Sequence, residues 1–469
     1  MMTFMDVPYG RINKLEREMK RRSMLKSMGA VSLGMVTPAF TKGESLVAPY
    51  KVKEESITAE ILVVGGGTAG AIAAIQAGRA GAETILIESG SQLGGTTTTG
   101  GVAFPGIFHA WGKQIIGGIG WELVMDCVEL NGDKLPNFSK IPDSHWKHQV
   151  TINAPLYTLL AEEKCLEAGV YIRYYESPTH IEFKKGKWIV ETVGKGTKTT
   201  IVCNQIIDCT GNALIASMAG YDVLREEDTQ PGSLIFRLGG YTYDTLDLAK
   251  IPKKHHRILR QNMLENSKRE SREHTYVPYS YVYVPGADST TSEAHTIANN
   301  EGRNTLLNLV RTLKTFPGCE NLKIADLKTE TAVRETYRID GLYKMNKEDY
   351  TSGKVFEDGI SHSFYPIDLH RNGKSIYQEF LKPDVVASIP LRSLIPKGSQ
   401  NFLVAGRCVS SDRLANSALR VQASCMGMGQ AAAIAAVLAS KQGISPQEVD
   451  INEIKALLKK HGAIVPTKV

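Results

Sequence analysis

Four side chains in the second half of the chain are candidates for acid–base and anion chemistry. His370 follows Asp368 by two residues, and an imidazole beside a carboxylate is suited to proton transfer. Arg334, Arg338 and Arg420 could hold a carboxylate or polarise a carbonyl, because a guanidinium group offers several donors in one plane. Each of the four could instead be structural, as a buried histidine or as one partner of an ion pair. We interpret them as the candidate catalytic residues.

Other ring-bearing side chains could lie against a substrate. His109 follows a run of threonines and glycines. Tyr279, Tyr281 and Tyr283 alternate along a predicted strand, so their rings would share one face of it. They could form an aromatic wall for a sugar or another ring-shaped substrate, or they could only pack within the sheet.

A nucleotide-binding unit lies ahead of these positions. The apolar run at 61–64 predicts a strand that is buried on both faces. Gly65, Gly67 and Gly70 follow with the spacing G-x-G-x-x-G, which permits a tight turn, the approach of a pyrophosphate and close packing of the next helix. The start of that helix offers free N–H groups and the positive end of its dipole. Glu88 ends the next predicted strand, where a ribose hydroxyl needs an acceptor.

The segment after Glu88 narrows the choice of cofactor. A carboxylate at this position suits an unphosphorylated ribose, which indicates NAD or FAD. Gly94 and Gly95 would let the chain fold back along the pyrophosphate, and the threonines at 96–99 would continue toward the far end of the cofactor. This arrangement resembles the FAD-dependent oxidoreductases of the glutathione-reductase-like superfamily.

The resemblance continues down the chain, over residues 59–440. The segment IIDCTGNA at 206–213 is similar to the second signature of these flavoproteins, and NFLVAGRC at 401–408 is similar to their late strand and turn. A closing helix that begins near Ser417 would point its N-terminus at the pyrimidine end of the flavin, where negative charge develops on reduction. It could equally be a packing helix. Further marks of the family are QPGS at 230–233, VRET at 333–336 and IDLH at 367–370.

The resemblance implies FAD as the cofactor and places its contacts on the matching positions. Two residues depart from the family pattern. Cys209 stands where alanine is commoner, and we expect a buried, unreactive thiol there. Tyr337 stands where a further arginine is expected, which weakens a paired-arginine anion site at that point. The candidate cofactor-binding residues are Gly65, Gly67, Thr68, Ala69, Gly70, Glu88, Ser89, Gly94, Gly95, Thr96, Thr97, Asp208, Gly211, Gly406, Arg407 and Ala418.

We therefore predict an α/β fold: a Rossmann FAD-binding domain of the glutathione-reductase-like type with an inserted α+β substrate domain. The predicted domains are the FAD-binding domain at 46–220 and 391–440, the substrate domain at 221–390 and a helical tail at 441–469. The predicted elements are helices at 121–130, 154–168 and 445–460, a hairpin at 187–202, and substrate-domain strands at 234–238 and 276–284.

Residues 1–45 are predicted to be a twin-arginine signal peptide. Lys20-Arg21-Arg22-Ser23-Met24-Leu25-Lys26 has two arginines, a spacer, an apolar pair and a lysine, and a short apolar stretch follows. Twin-arginine export carries folded proteins, which suits a chain that must acquire FAD first. The expected location is periplasmic or otherwise exported from a bacterial cell, or cytoplasmic if the segment is only a basic tail. The expected partner during export is the twin-arginine translocase.

Composition excludes several other classes of protein. Residues 1–42 hold eight basic and three acidic side chains, and so carry five of the six net positive charges of the chain. We therefore expect no nucleic-acid partner. The seven cysteines are scattered and lack a C-x-x-C pair, which argues against a metal or iron–sulfur site and a redox-active disulfide. No segment after the signal is predicted to span a membrane.

Three hypotheses for the activity remain open. The first is an exported flavoenzyme that oxidises a small polar substrate, such as a hydroxy acid or a carbohydrate derivative, by hydride transfer to FAD. The second is a fumarate-reductase-like reductase that receives electrons from a membrane carrier, because only one dinucleotide fingerprint is present. The third is a lyase or scaffold that binds flavin without net redox chemistry. In each case the partner is a small-molecule substrate, and the electron acceptor or donor is unknown.

Overall fold

In this fold, several strands end at the same edge of one sheet. The computed structural model describes residues 51–141, 145–261, 279–373 and 375–467, and the described residues from Glu54 onward form one compact unit. The predicted signal peptide lies outside the described residues, as does the first part of the strand predicted at 276–284.

The helices and strands have the following bounds. The strands of the described residues are β1 Lys53–Val64, β2 Thr84–Glu88, β3 His109–Ala110, β4 Lys113–Gln114, β5 Tyr171–Tyr174, β6 Ser177–Lys184, β7 Lys187–Gly194, β8 Thr197–Asp208, β9 Val223–Leu224, β10 Gly232–Gly239, β11 Ser280–Val284, β12 Lys323–Leu327, β13 Arg338–Ile339, β14 Gly359–Ser363, β15 Ile367–Leu369, β16 Tyr377–Glu379, β17 Ala387–Pro390 and β18 Phe402–Val404. The α-helices are α1 Thr68–Arg79, α2 Ile119–Leu130, α3 Ala154–Glu167, α4 Leu214–Met218, α5 Lys253–Gln261, α6 Ser292–Leu313, α7 Lys347–Ser352, α8 Arg413–Leu419, α9 Gln422–Gln442 and α10 Ile451–Lys460.

The largest sheet contains the nucleotide-binding strands. Within the described residues it has seven strands in the order β5-β2-β1-β8-β7-β6, with β18 beside β8. The pairs β1–β2, β2–β5 and β8–β18 are parallel. Cys209 N donates to Val64 O over 2.8 Å, and Ala405 N donates to Asp208 O over 3.0 Å. The strands β1, β8 and β18 therefore end at the same edge, where α/β folds place their ligands.

The antiparallel part of this sheet contains the hairpin predicted at 187–202 and continues beyond it. β6, β7 and β8 form a meander in which Trp188 lies opposite Cys203. The second strand of the hairpin does not stop at 202, because β8 continues to Asp208 without a break. One strand therefore joins the antiparallel meander to the parallel ligand-binding edge.

A separate three-stranded sheet, in the order β11-β10-β12, follows in the chain. Leu234 lies opposite Val282, and both pack with Leu306 of α6 in an apolar cluster. The strand predicted at 234–238 is confirmed within β10. The described part of the strand predicted at 276–284 is confirmed as β11.

The helix predictions hold in part. The helices predicted at 121–130 and 154–168 are confirmed as α2 and α3. The terminal helix begins only at Ile451, because a short 3₁₀ turn at Pro446–Glu448 precedes it. The single closing helix predicted from near Ser417 is wrong: the chain turns at Arg420 and Val421 and forms two helices, α8 and α9.

Helix α9 is the central buried helix of the fold. By length and composition it could cross a membrane, but 83% of its most apolar stretch is buried inside the protein. Its small residues allow α1 to pack closely against it. A Cβ on Gly429 would overlap the carbonyl oxygen of Ala69 in α1, so this crossing requires glycine.

Replacing Gly429 by alanine should push these two helices apart. The obstructing atom is backbone and cannot rotate away, and overpacking a core costs about 1–3 kcal/mol. Gly429→Ala should therefore lower the melting temperature measured by circular dichroism. The matched control is Gly239→Ala, where the added Cβ would meet its nearest atom at 3.7 Å. Equal melting temperatures for the two variants would contradict the close crossing.

Candidate active site

The turn after β1 requires glycine at two of the predicted positions. Gly65 N donates to Ile87 O over 2.8 Å, and Gly65 has a φ of +94°, which other residues rarely adopt. A Cβ on Gly65 would lie 2.7 Å from Cys209 O, and one on Gly70 would overlap the carbonyl oxygen of Gly65. These two glycines pack the strand, the helix and the neighbouring turn together. Cys209 itself is buried, as predicted, and burial raises the pKa of its thiol well above the usual value.

Gly67 differs from these two because it faces open space. A Cβ there would meet only Gly95 Cα, at 4.0 Å. The loop that contains Gly94 and Gly95 runs alongside it, and Gly94 N donates to Gly66 O over 2.9 Å. Two glycine segments and the first turn of α1 thus form a shallow cradle with free space above it. Backbone N–H groups at a helix start are suited to holding a pyrophosphate.

Polar side chains join the cradle to α9. The hydroxyl groups of Thr68 and Thr97 are 3.1 Å apart, and Thr97 donates to Gln422 Oε1 over 2.7 Å. Gln422 Nε2 in turn donates to Val102 O over 2.8 Å. Thr97 is fully buried, so among the predicted cofactor residues it supports the cradle from below. Thr96 is exposed beside it.

Glu88 lies at the predicted ribose position. Its two carboxylate oxygens accept hydrogen bonds from Gly66 N at 2.7 Å and Gly90 N at 2.6 Å. Oε1 also accepts from the Ser89 hydroxyl at 3.3 Å, whereas Oε2 keeps a further lone pair. The side chain is only half-buried, so a ribose hydroxyl can still donate to Oε2. Ser89 is exposed next to it.

Asp208, in the second predicted signature, is hydrogen-bonded to the turn that follows it. Asp208 is buried and accepts four hydrogen bonds, from the N–H and hydroxyl groups of Thr210 and from Ile215 N and Ala216 N, so it caps the start of α4. Burial raises its pKa despite these bonds. Asp208 thus fixes the turn at Gly211, and its contact with the cofactor stays a prediction.

Arg407 also points at protein atoms. Its guanidinium donates to the carbonyl oxygens of Gly211 and Val333 and to Asn212 Oδ1. Burial and, less strongly, the charge of Arg420 lower its pKa to about 10. Gly406 lies close to α1, since a Cβ there would be 3.3 Å from Ala69 Cβ. The last predicted cofactor residue, Ala418, is buried in α8.

The structure brings together His370 and Asp368, the candidate proton-transfer pair. His370 Nε2 lies 3.1 Å from Asp368 Oδ2, and His370 Nδ1 lies 2.9 Å from the hydroxyl of Tyr283. Burial opposes ionisation of Asp368, but His370 and then Arg420 outweigh it and lower the pKa of Asp368 to about 2. Burial also lowers the pKa of His370, reinforced by Arg334 and Arg420 and opposed by Asp368. Near neutral pH the pair is a carboxylate and an uncharged imidazole.

Two of the three predicted arginines join this pair. Arg334 donates to Pro231 O over 2.6 Å, and its guanidinium carbon lies 5.7 Å from the ring centre of Tyr283. Arg420 donates to Asp368 O over 3.3 Å. Burial and the charge of Arg420 lower the pKa of Arg334 to about 10. Among the described residues no carboxylate forms an ion pair with either arginine, and Nε of Arg420 is buried without a hydrogen-bond partner.

The third arginine is placed elsewhere. Arg338 forms a two-pronged ion pair with Glu226, at 2.7 and 2.8 Å, and donates to Ser411 O over 3.0 Å. Its guanidinium is thus occupied by protein acceptors, and Arg338 anchors β13. The sequence could not separate this arginine from the other two, because Glu226 is more than a hundred residues away.

Three residues that were not predicted as site residues hold the cluster together. Gln230 Oε1 accepts from His370 N over 2.9 Å, and Gln230 Nε2 donates to Glu335 Oε1 over 2.8 Å. Glu335 also accepts from Gln230 N over 2.6 Å and forms an ion pair with Arg413. Gln230 and Glu335 fall inside two of the family marks, QPGS and VRET, which was the available signal. Arg413 has no such signal.

The aromatic candidates separate into two groups. Tyr281 and Tyr283 have ring centres 5.2 Å apart, and Tyr279 stacks on Phe104 at 6.0 Å. His109 instead stacks on Phe138, and burial with the charge of His148 lowers its pKa to about 4. His109 contributes to a largely apolar cavity of about 230 Å³. The cavity is lined by Ile107, His109, Ala110, Trp111, Ile141, His148, Phe364, Pro366, Phe380 and Leu381.

All seven cysteines are buried free thiols. Among the described residues, no group of three or more histidine, cysteine and acidic side chains could hold a metal ion.

A parallel nucleotide-binding edge, a glycine cradle and an acceptor at the ribose position define a Rossmann-type dinucleotide-binding protein. The residues present fit FAD, because Gly67 leaves space for a pyrophosphate and Oε2 of Glu88 keeps a free lone pair. The chain belongs to the FAD-dependent oxidoreductase family, whose pattern it matches over residues 60–458. It is therefore a flavoenzyme with FAD as its cofactor.

Comparisons with individual proteins support the assignment less strongly than the family match does. The comparison with curated proteins found no match. A geranylgeranyl bacteriochlorophyll reductase-like protein from Thermoplasma acidophilum is 14% identical, with 87% of this chain and 84% of that chain covered and a TM-score of 0.40. The p-nitrophenol 4-monooxygenase PnpA from Pseudomonas putida DLL-E4 is 12% identical, with 86% of each chain covered and a TM-score of 0.42. At such low TM-scores the family match alone carries the assignment.

Replacing Gly67 by alanine should weaken FAD binding without weakening the fold. Gly67 has a φ of −67°, which alanine adopts freely, and the new methyl group would enter the open cradle. We expect FAD affinity to fall by about tenfold or more, equivalent to at least about 1.4 kcal/mol. Titration of the apoprotein with FAD, followed by flavin fluorescence, measures this, and the apoprotein melting temperature should not change. Wild-type affinity in Gly67→Ala, with Gly239→Ala as the control, would show that the cofactor does not cross this turn.

Proposed function

We propose that this enzyme oxidises a small polar alcohol, a hydroxy acid or a carbohydrate derivative, by hydride transfer to FAD. The observation that carries the proposal is the meeting of the His370–Asp368 pair with Arg334 and Arg420. One part of this cluster can take up a proton, and the other can hold an anion. The proposed arrangement is that of the glutathione-reductase-like superfamily, with an inserted substrate domain at 221–390.

The protein groups have distinct proposed tasks. Bound FAD supplies the two-electron acceptor for a hydride from carbon. The uncharged imidazole of His370 is a proton acceptor near neutral pH, and Asp368 fixes its orientation and stabilises the imidazolium that forms. The arginines orient the substrate so that the reacting hydroxyl faces the histidine side of the cluster.

The charge of the cluster favours a hydroxy acid over a neutral carbohydrate. Two guanidinium groups face one ionised carboxylate, and the imidazole adds no charge at neutral pH. A substrate carboxylate would balance the excess positive charge and could accept hydrogen bonds from both arginines. A neutral sugar would leave the repulsion between Arg334 and Arg420 in place.

Removing one arginine should show whether the substrate is a hydroxy acid or a neutral carbohydrate. In Arg334→Met, the KM for a reactive hydroxy acid should rise about 10–100-fold, because a hydrogen bond to a charged group contributes about 1.5–3 kcal/mol. The first experiment is anaerobic visible spectroscopy of the wild-type flavin with a panel of hydroxy acids, sugars and amino acids. The compound that bleaches the flavin is then titrated into the wild type and into Arg334→Met to measure its KM. Arg392→Met is the control, since Arg392 pairs with Asp358 instead.

The outcomes of this experiment discriminate the three hypotheses. Bleaching by a hydroxy acid supports the proposal, and bleaching only by neutral sugars overturns the acid preference. A flavin that no donor bleaches, but that enoates or quinones reoxidise after chemical reduction, would favour a reductase. Turnover of a substrate with the flavin oxidised throughout would favour a lyase.

We also propose that the enzyme is exported in folded form by the twin-arginine translocase. The support is the motif at 20–26 and the concentration of basic residues at 1–42. Export of a folded chain would allow FAD to be acquired in the cytoplasm.

Conservative replacement of the two arginines tests the export proposal. Arg21→Lys with Arg22→Lys keeps the charge but removes the pair, so the protein should stay in the cytoplasmic fraction of a bacterial host. The control, Arg11→Lys with Arg17→Lys, also keeps the charge and should be exported like the wild type. Immunoblots of the periplasmic and cytoplasmic fractions measure the distribution. Identical distributions for the two double variants would exclude the twin-arginine route.

A further inference from the structure

The hydrogen bonds of His370 determine which of its nitrogens carries the proton. Asp368 is ionised at neutral pH and can only accept, so His370 Nε2, at 3.1 Å from Oδ2, must be the N–H donor. An uncharged imidazole has a single N–H group. His370 Nδ1 is therefore an acceptor, and the hydroxyl of Tyr283 at 2.9 Å must donate to it.

Neighbouring groups restrict the orientation of both Asp368 and His370. Asp368 Oδ1 accepts from Gln378 Nε2 over 3.0 Å, and Asp368 N donates to Ser417 Oγ over 3.1 Å. His370 N donates to Gln230 Oε1, and the carboxylate of Glu335 fixes the orientation of that amide. Hydrogen bonds of the His370 backbone N–H group and of both ring nitrogens thus hold the imidazole in place.

With both nitrogens engaged, His370 has no free lone pair to offer a substrate. Its side chain is 12% exposed, as is that of Asp368, whereas Tyr283 is 39% exposed. The Tyr283 oxygen donates its proton to His370, and beside its hydrogen-bonding neighbour Tyr281 it keeps a lone pair for a further donor. Arg334 lies against the Tyr283 ring, so a substrate anion held by Arg334 would bring its hydroxyl near the tyrosine.

We propose that Tyr283 is the catalytic residue that takes the substrate proton, and that His370 and Asp368 act through it. This inference rests on the proposed oxidation of an alcohol. As the C–H bond breaks, its hydride with the electron pair passes to FAD, the oxidant, and the C=O double bond forms. The substrate O–H proton moves to the Tyr283 oxygen, and the tyrosine proton moves to His370 Nδ1. Tyr283 is uncharged before and after the step, and the positive charge rests on an imidazolium beside Asp368.

The pKa of Tyr283 agrees with this role. Burial raises it, and the neighbouring Tyr281 raises it further, while Arg334 opposes the rise. Tyr283 thus keeps its proton near neutral pH and does not act as a free phenolate. A relay through a neutral hydroxyl needs an acceptor behind it, which His370 provides.

Removing one oxygen atom tests the relay. Tyr283→Phe should retain wild-type FAD content and melting temperature, while the first-order rate of anaerobic flavin reduction by the active substrate falls about 10²–10⁴-fold, the usual contribution of general acid–base catalysis. Substrate KM should change little. The control is Tyr175→Phe, which removes a hydroxyl from an exposed tyrosine that stacks under Lys195. A rate for Tyr283→Phe within a factor of about two of the wild type would overturn the proposal.

A second measurement does not depend on activity. Nitrogen-15 NMR of histidine-labelled holoenzyme, with His370 assigned by its loss in His370→Asn, reports which ring nitrogen is protonated. We expect protonated Nε2 and an accepting Nδ1 at neutral pH in the oxidised wild type, with the Nδ1 resonance shifting in Tyr283→Phe. A protonated Nδ1, or no shift in the variant, would overturn the relay.

The two experiments separate the failure of this inference from that of the proposed function. If His370→Asn stops flavin reduction and Tyr283→Phe does not, alcohol oxidation stands and His370 contacts the substrate directly. If no alcohol reduces the flavin, the proposed function fails, and the NMR result still decides the hydrogen-bond order.

Discussion

This structure depends on one constraint: its layers must touch through their backbones, with no side chain between them. Gly70 packs on the carbonyl of Gly65, and Gly429 packs on the carbonyl of Ala69, so sheet, α1 and α9 lie in three directly touching layers. Any side chain at these glycines would separate the layers. The cradle exists only because the first turn of α1 is held this close to the strand ends. The packing of the layers and the shape of the cradle are therefore set by the same few positions.

The cluster around His370 depends on a different constraint, the burial of a carboxylate. Glu335 is only 2% exposed, and its charge is acceptable because Arg413 and two N–H groups of Gln230 surround it. Since Glu335 can only accept hydrogen bonds, the amide nitrogen of Gln230 must face it. The amide oxygen is then directed at His370 and Arg420. A buried ion pair thus sets the orientation of the amide that binds His370 and Arg420.

The sequence predicted those parts of the fold that local patterns encode. The strand, glycine turn and helix at 61–79 follow from periodicity and spacing, and so do helices α2 and α3. The break between α8 and α9 was missed, because Arg420 and Val421 are compatible with a helix and tertiary contacts decide the turn. At the site, His370 with Asp368 could be paired from their spacing. Arg334 and Arg338 could not be told apart, since their partners lie far away in the chain.

The hydrogen bond from Thr97 to Gln422 joins positions 325 residues apart. The floor of the cradle is made early in synthesis, whereas the helix that braces it comes near the end of the chain. A nascent chain would expose a complete glycine fingerprint for most of its translation and still lack the wall that closes the site. A product that stops before α9 would therefore carry the glycine turn without the contact from Gln422 that braces it.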